Sequence, residues 1–157
     1  KMGVPFLPYE TYGRSPLENS SFLVSSANFN EKIHGKGFVA RLSGSTAEFL
    51  QMWELMMNGE KLFTMQDGTL TFKLAPAIPA YLVKDDGKVE TTLFGKIKVV
   101  YDCGSKRDLI PGQYAVTKYE LVAADRSIES CEAATVSGEA AQRIRDGKVA
   151  EIRVTIQ

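Results

Sequence analysis

From residue 66 to the end, the chain is a run of short apolar segments broken by Gly, Pro and Asp, with a turn signal roughly every eight to twelve residues. This portion therefore reads mainly as strands with tight connections. Asp67-Gly68 separates Leu62-Phe63-Thr64 from Leu70-Thr71-Phe72-Lys73-Leu74, the strongest local signature of a hairpin. Pro76 and Pro79 cannot donate to a ladder, so their stretch reads as a link or an edge. Tyr81-Leu82-Val83, the turn Asp85-Asp86-Gly87 and Val89 to Leu93 read as a second hairpin. Ile97, Val99 and Tyr101 alternate with Lys96, Lys98 and Val100 in a further strand. Pro111-Gly112 leads into a strand from Tyr114 to Val122. A short helix, Glu139 to Arg145, stops at Asp146-Gly147, and Val149 to Ile156 closes the chain as a strand. The expected class is mixed and mainly β, ending in an antiparallel β-sandwich.

Residues 1–65 have another texture. They hold all five methionines, the single tryptophan and nine of the fifteen aromatics, which places a domain boundary near residue 65. A loop-like stretch from Gly3 to Ser21 precedes the apolar segments Phe22-Leu23-Val24 and Phe38-Val39-Ala40. The clearest helix runs from Thr46 to Asn58. Ser45 and Glu48 form the reciprocal pair of a capping box. Phe49, Leu50, Trp53, Met56 and Met57 share one face at helical spacing, and Asn58-Gly59 provides the stop. Trp53 and the methionines are core residues on this reading.

Nineteen basic and nineteen acidic residues cancel, in the two pieces as well as overall, so no nucleic-acid-binding face is advertised. No apolar run approaches the length of a membrane helix, and the start, Lys1-Met2-Gly3-Val4-Pro5, is not a signal peptide. A cytoplasmic protein with no membrane partner is expected, cut from something longer. Cys103 and Cys131, with one histidine, cannot complete a four-ligand zinc site, and no metal is expected. Two free thiols is the simpler reading of that pair, a disulfide the other. The sequon Asn19-Ser20-Ser21 carries weight only in a secreted chain.

Chemistry concentrates at Arg41-Leu42-Ser43-Gly44-Ser45-Thr46, a Ser/Gly loop running into a helix N-terminus. The first N–H groups of a helix lack internal partners, and the dipole places partial positive charge there. Hydroxyls, a glycine and Arg41 would complete an anion cradle; a plain cap and tight turn is the simpler alternative. His34, in a glycine-flanked loop, is a candidate acid, base or phosphate ligand. Glu10 and Glu18 are carboxylates with no partner at a predictable distance. Phe6, Tyr9 and Tyr12 are candidate sugar contacts, and Asp85-Asp86-Gly87 lacks the remaining oxygen ligands of a calcium loop.

Three stretches together carry a family resemblance: Tyr12-Gly13-Arg14-Ser15-Pro16-Leu17-Glu18-Asn19-Ser20-Ser21-Phe22, His34 to Phe49, and Leu74-Ala75-Pro76-Ala77-Ile78-Pro79. Across residues 12–101 the chain resembles the C-terminal region of cellobiose phosphorylase-like glycoside phosphorylases, a family that includes chitobiose phosphorylases and cyclic β-1,2-glucan enzymes. In that family a Thr/Ser-Gly-Thr/Ser motif followed by Ala opens one of the last helices of an α/α barrel. A Pro-x-x-Pro-like segment then leads into a C-terminal β-domain. The resemblance implies that residues 1–65 are the end of a catalytic α/α barrel and residues 66–157 the terminal β-domain. It implies a phosphate site at Ser43, Gly44 and Ser45; Arg41, His34 and Tyr12 are candidate substrate or phosphate contacts on their own chemistry, not through the resemblance. It further implies an inverting phosphorolysis of β-glucosides that needs one catalytic aspartate, supplied by the parent outside this chain. Inorganic phosphate would be the co-substrate, with no other cofactor, and an oligosaccharide the partner. This segment alone would be inactive. The alternative is a self-standing carbohydrate-binding or interaction β-sandwich. If the segment folds alone, the apolar helix face requires cover, from the β-domain or from another copy of the chain in a homo-oligomer.

Overall fold

The computed structural model describes residues 8–12, 22–23, 27–34, 37–39 and 44–157. The chain divides into two compact units, Lys1–Met56 and Met57–Gln157.

In the first unit a single helical turn, α1 (Tyr9–Tyr12), lies within the stretch expected to be loop. Two short strands, β1 (Phe22–Leu23) and β2 (Gly37–Val39), pair antiparallel, with Phe22 opposite Val39. Between them Glu31–Ile33 forms a 3-10 turn capped by Asn30, whose Oδ1 accepts from the Lys32 N–H. The long helix α2 (Gly44–Asn58) begins before the predicted start. Ser45, expected as the residue that caps the helix from outside, lies within it. Of the predicted apolar face, Met56 and Met57 are buried, Phe49 and Trp53 half-buried, and Leu50 is 64% exposed. Asn58 and Gly59 end α2, Gly59 taking a φ of +95°.

The second unit is mainly β. A three-stranded sheet has the order β3-β4-β9, with β3 (Phe63–Gln66), β4 (Thr69–Phe72) and β9 (Val136–Ser137). A five-stranded sheet has the order β5-β6-β10-β7-β8. Its strands are β5 (Lys88–Leu93), β6 (Ile97–Asp102), β7 (Val116–Val122), β8 (Ile128–Cys131) and β10 (Glu151–Ile156). Helix α3 (Gly138–Arg145) follows β9 directly and buries Ala140, Ala141 and Ile144.

Three expectations need correction. The five-stranded sheet is not wholly antiparallel: β10 runs antiparallel to β7 but parallel to β6, Val99 facing Ile152 and Tyr101 facing Val154. A strand inserted between two strands of opposite direction must match one of them. Tyr81-Leu82-Val83 is not a strand. Pro79 leads into a 3-10 turn, Ala80–Leu82, and the Ala80 N–H is taken by the Asp108 carboxylate at 2.6 Å. The hairpin partner of β5 is β6, joined by Phe94 and Gly95, both at positive φ. The linker from residue 73 to 79 contains no strand, as its prolines require.

Alternation sorts the faces of the five-stranded sheet. Val89, Leu93, Ile97, Val99, Tyr101, Tyr119, Leu121, Ile152 and Val154 are buried. The opposite face carries ion pairs from Lys84–Glu90 and Glu90–Lys98 through Glu151–Arg153 and Arg153–Glu120 to Glu120–Lys118 and Lys118–Glu132. These exposed pairs contribute little individually, yet they mark that face as solvated.

Three tyrosine hydroxyls bond to distant backbone, one at the end of α2 and two in the linker. The Tyr101 hydroxyl donates to Met57 O at 2.7 Å, and the Tyr114 hydroxyl to Pro76 O at 2.6 Å. The Tyr119 hydroxyl accepts from the Leu74 N–H at 3.0 Å. Burial pushes the phenols of Tyr114 and Tyr119 up to about 12. A tyrosine in the unfolded chain ionises near about 10. Above that pH the unfolded state has released a proton that the folded state still holds, so stability is full below about pH 10 and falls as pH rises toward about 12. The circular dichroism of the folded unit should therefore survive to about pH 10 and be lost over the next two units or so. Loss of structure well below pH 9 would contradict this assignment.

Candidate functional site

Gly44 and Ser45 form the start of α2, in a first turn with no acidic residue to compete with an anion. Their backbone N–H groups belong to the set that no intrahelical carbonyl can satisfy. With fifteen residues behind it, α2 also has the length to present a full terminal dipole. Ser43 and Arg41 lie outside the described residues, so the cradle is represented by the helix start alone. Tyr12 is the last residue of α1.

His34 closes the 3-10 turn, its N–H bonded to Glu31 O at 3.2 Å. The loop beneath it is built by asparagines: the Asn30 N–H bonds Asn28 Oδ1 at 2.9 Å, and Asn30 Oδ1 caps the turn. His34 Nε2 stands 2.6 Å from Asn28 O. A carbonyl can only accept, so Nε2 is the donor in this contact. This loop orients the imidazole, a feature visible in the sequence only as the pattern Asn28, Asn30 and His34.

No described contact joins His34 or Tyr12 to the start of α2, and the remaining candidates lie elsewhere. Glu10 is exposed in α1, and Glu18 and Phe6 lie outside the described residues. Asp85 pairs with Lys106 at 2.9 Å, and that ammonium group holds its carboxyl below the ordinary range. Asp86 accepts from the Lys88 N–H, completing a turn. Cys103 and Cys131 are both free thiols. Burial raises the Cys103 thiol, outweighing the opposite pull of Arg107, which disfavours a reactive thiolate. Among the described residues no cluster of His, Cys, Asp or Glu could hold a metal ion, and no helix is long and apolar enough to cross a membrane.

Two grooves open on the second unit. One, of about 320 Å³, lies among Lys73, Leu74, Pro111, Tyr114 and Val116. The other, of about 220 Å³, lies among Leu121, Ser127, Glu129, Arg143 and Lys148. In the second, Arg143 is paired with Glu129 and Lys148 with Asp146, so its charges neutralise one another. In the first, the one phenol donates to Pro76 O. In the second, Glu129 is held by Arg143 and the Ser127 hydroxyl donates to Asp125 at 2.6 Å, so neither is presented to a ligand. The start of α2 therefore stands as the candidate site. No protein-family model, curated protein or solved structure matches the chain.

Proposed function

We propose that this chain is the C-terminal end of a glycoside phosphorylase-like enzyme acting on β-glucosides, and that it contributes one edge of the phosphate site. The observation that carries the reading is the order Ser43-Gly44-Ser45, a fifteen-residue helix beginning at Gly44, the Pro76-Ala77-Ile78-Pro79 link and a β-rich terminal unit. In this reading α2 is a closing helix of an α/α barrel and the terminal unit a β-sandwich, with the ring of Phe72 set edge-on to Tyr119 between its two sheets.

Phosphate suits a helix start because its oxygens accept from N–H groups that have no other partner. Ser43 and Ser45 add hydroxyl donors, and Arg41 adds charge. An aspartic acid elsewhere in the parent protonates the glycosidic oxygen while a phosphate oxygen attacks the anomeric carbon from the opposite face. The glycosidic C–O bond breaks, and a sugar 1-phosphate of inverted configuration leaves with the free acceptor sugar. Phosphate replaces the water of an inverting hydrolase, so no carboxylate base is needed. The segment lacks that acid and should be inactive alone.

The test uses the full-length protein and a β-linked glucose disaccharide. Ser43→Ala and Ser45→Ala should each raise the KM for phosphate about tenfold or more, the cost of losing a hydrogen bond to a charged ligand, with the disaccharide KM little changed. Equal loss toward both substrates, or none, would remove the phosphate assignment.

A further inference from the structure

The four outer edges of the two sheets are not treated alike. β5 carries Lys88 and Glu90, the latter tied to Lys84 and Lys98. β8 carries Glu129, paired with Arg143. β9 is two residues long and passes directly into α3. Charges and short length are the usual means of preventing an edge from pairing with another chain. β3 has neither safeguard: Phe63-Thr64-Met65-Gln66 is uncharged, and Met65 is 65% exposed. Among the described residues β4 is its only strand partner.

The register of the hairpin shows which backbone groups β3 offers. Gln66 and Thr69 flank the two-residue turn Asp67-Gly68, whose positive φ values of 49° and 77° suit a hairpin turn. They form a bonded pair, and bonded and non-bonded pairs then alternate along the ladder. Thr64 therefore bonds toward β4, as does Leu62, whose O accepts from the Lys73 N–H at 2.9 Å. The N–H and C=O groups of Phe63 and Met65 point outward.

We propose that β3 is a self-docking edge, on which β3 of a second copy adds antiparallel about a two-fold axis through Thr64. This register is self-complementary at each level. It puts Phe63 opposite Met65 of the second copy twice over, and those are the residues with outward backbone groups, so four hydrogen bonds close. The side-chain pairs are aromatic with thioether, a favourable contact. Thr64 meets Thr64 on the other face, and no charge is opposed to a like charge. The two three-stranded sheets become one of six strands. Four residues per edge make a small interface, so the dissociation constant is expected at roughly 0.1 mM.

Thr64 opposite Thr64 is a non-bonded pair, with Cα atoms about 4.5 Å apart, within disulfide reach. Gln66 and its counterpart are displaced by four residues, about 13 Å, and out of reach. In the full chain carrying Cys131→Ser, Thr64→Cys should cross-link to a dimer under mild oxidant at least ten times faster than Gln66→Cys. Adding Met65→Lys to Thr64→Cys should suppress that cross-link, with the far-ultraviolet circular dichroism and Tm of the reduced monomer unchanged, because Met65 is largely solvent-exposed. Sedimentation equilibrium of the unmodified chain should show weight-average mass rising with concentration toward a dimer. Equal rates for the two cysteine variants, a cross-link indifferent to Met65→Lys, or a mass that stays monomeric through the millimolar range would each overturn the proposal.

Discussion

Tyr119→Ala is expected to destabilise the second unit by about 3 to 5 kcal/mol, as for other large aromatic deletions from a core. Tyr119→Phe is expected to cost about 1 to 3 kcal/mol through one atom alone. The ring is fully buried, with Phe72 edge-on at a centroid distance of 6.1 Å. Its hydroxyl is the acceptor for the Leu74 N–H at 3.0 Å, and Leu74 is itself fully buried. Phenylalanine keeps the ring and leaves that N–H without a partner and without water. Alanine removes the ring contact between β7 and β4 as well, opening a cavity that close-packed neighbours fill only partly. Urea denaturation of the two variants against the parent chain measures both. If Tyr119→Phe fell within about 0.5 kcal/mol of the parent, the surface-substitution range, the tyrosine would not be holding the linker.

The second large effect is backbone-centred. Gly87 sits at φ +76°, and a Cβ there would stand 2.7 Å from Ser105 N and 2.9 Å from the Gly104 carbonyl carbon. It closes the turn after Asp85 and Asp86, donating to Lys84 O and accepting from the Cys103 N–H. The neighbouring atoms are main chain, so they cannot swing aside. Gly87→Ala adds left-handed strain of about 1 kcal/mol to overpacking of about 1 to 3 kcal/mol. Gly68→Ala is the matched control: its φ is +77°, yet nothing lies within 4 Å of the added carbon. It should lose only about 1 kcal/mol. Equal losses at the two glycines would show that the clamp on Gly87 is not rigid.

Local chemistry was the legible part of this fold. Asp67-Gly68 announces its hairpin because only a few dipeptides take positive φ twice without much cost, and the alternation of Ile97, Val99 and Tyr101 gives the inward face of β6 directly. What stayed hidden depends on distant chain. Phe94-Gly95 is a poor turn signal, since an aromatic at positive φ is disfavoured; the structure offsets it with the stacking of Phe94 on Phe63 at 6.2 Å. Tyr81-Leu82-Val83 has strand composition, yet Asp108, twenty-eight residues away, captures the Ala80 N–H. The placement of β10 between β6 and β7 is a matter of topology that no local pattern encodes. The small-residue run pointed to the helix start, while at the separate candidate His34 the ring's orientation rests on the carbonyl of Asn28. Backbone carbonyls leave no trace in residue identity.

The most direct test of the account is whether cleavage by the full-length protein requires phosphate. Incubated with a β-linked glucose disaccharide, it should release α-glucose 1-phosphate, followed by its phosphorus resonance, in proportion to added inorganic phosphate and with no turnover in its absence. Free glucose released at the same rate with and without phosphate, or no cleavage under either condition, would contradict it.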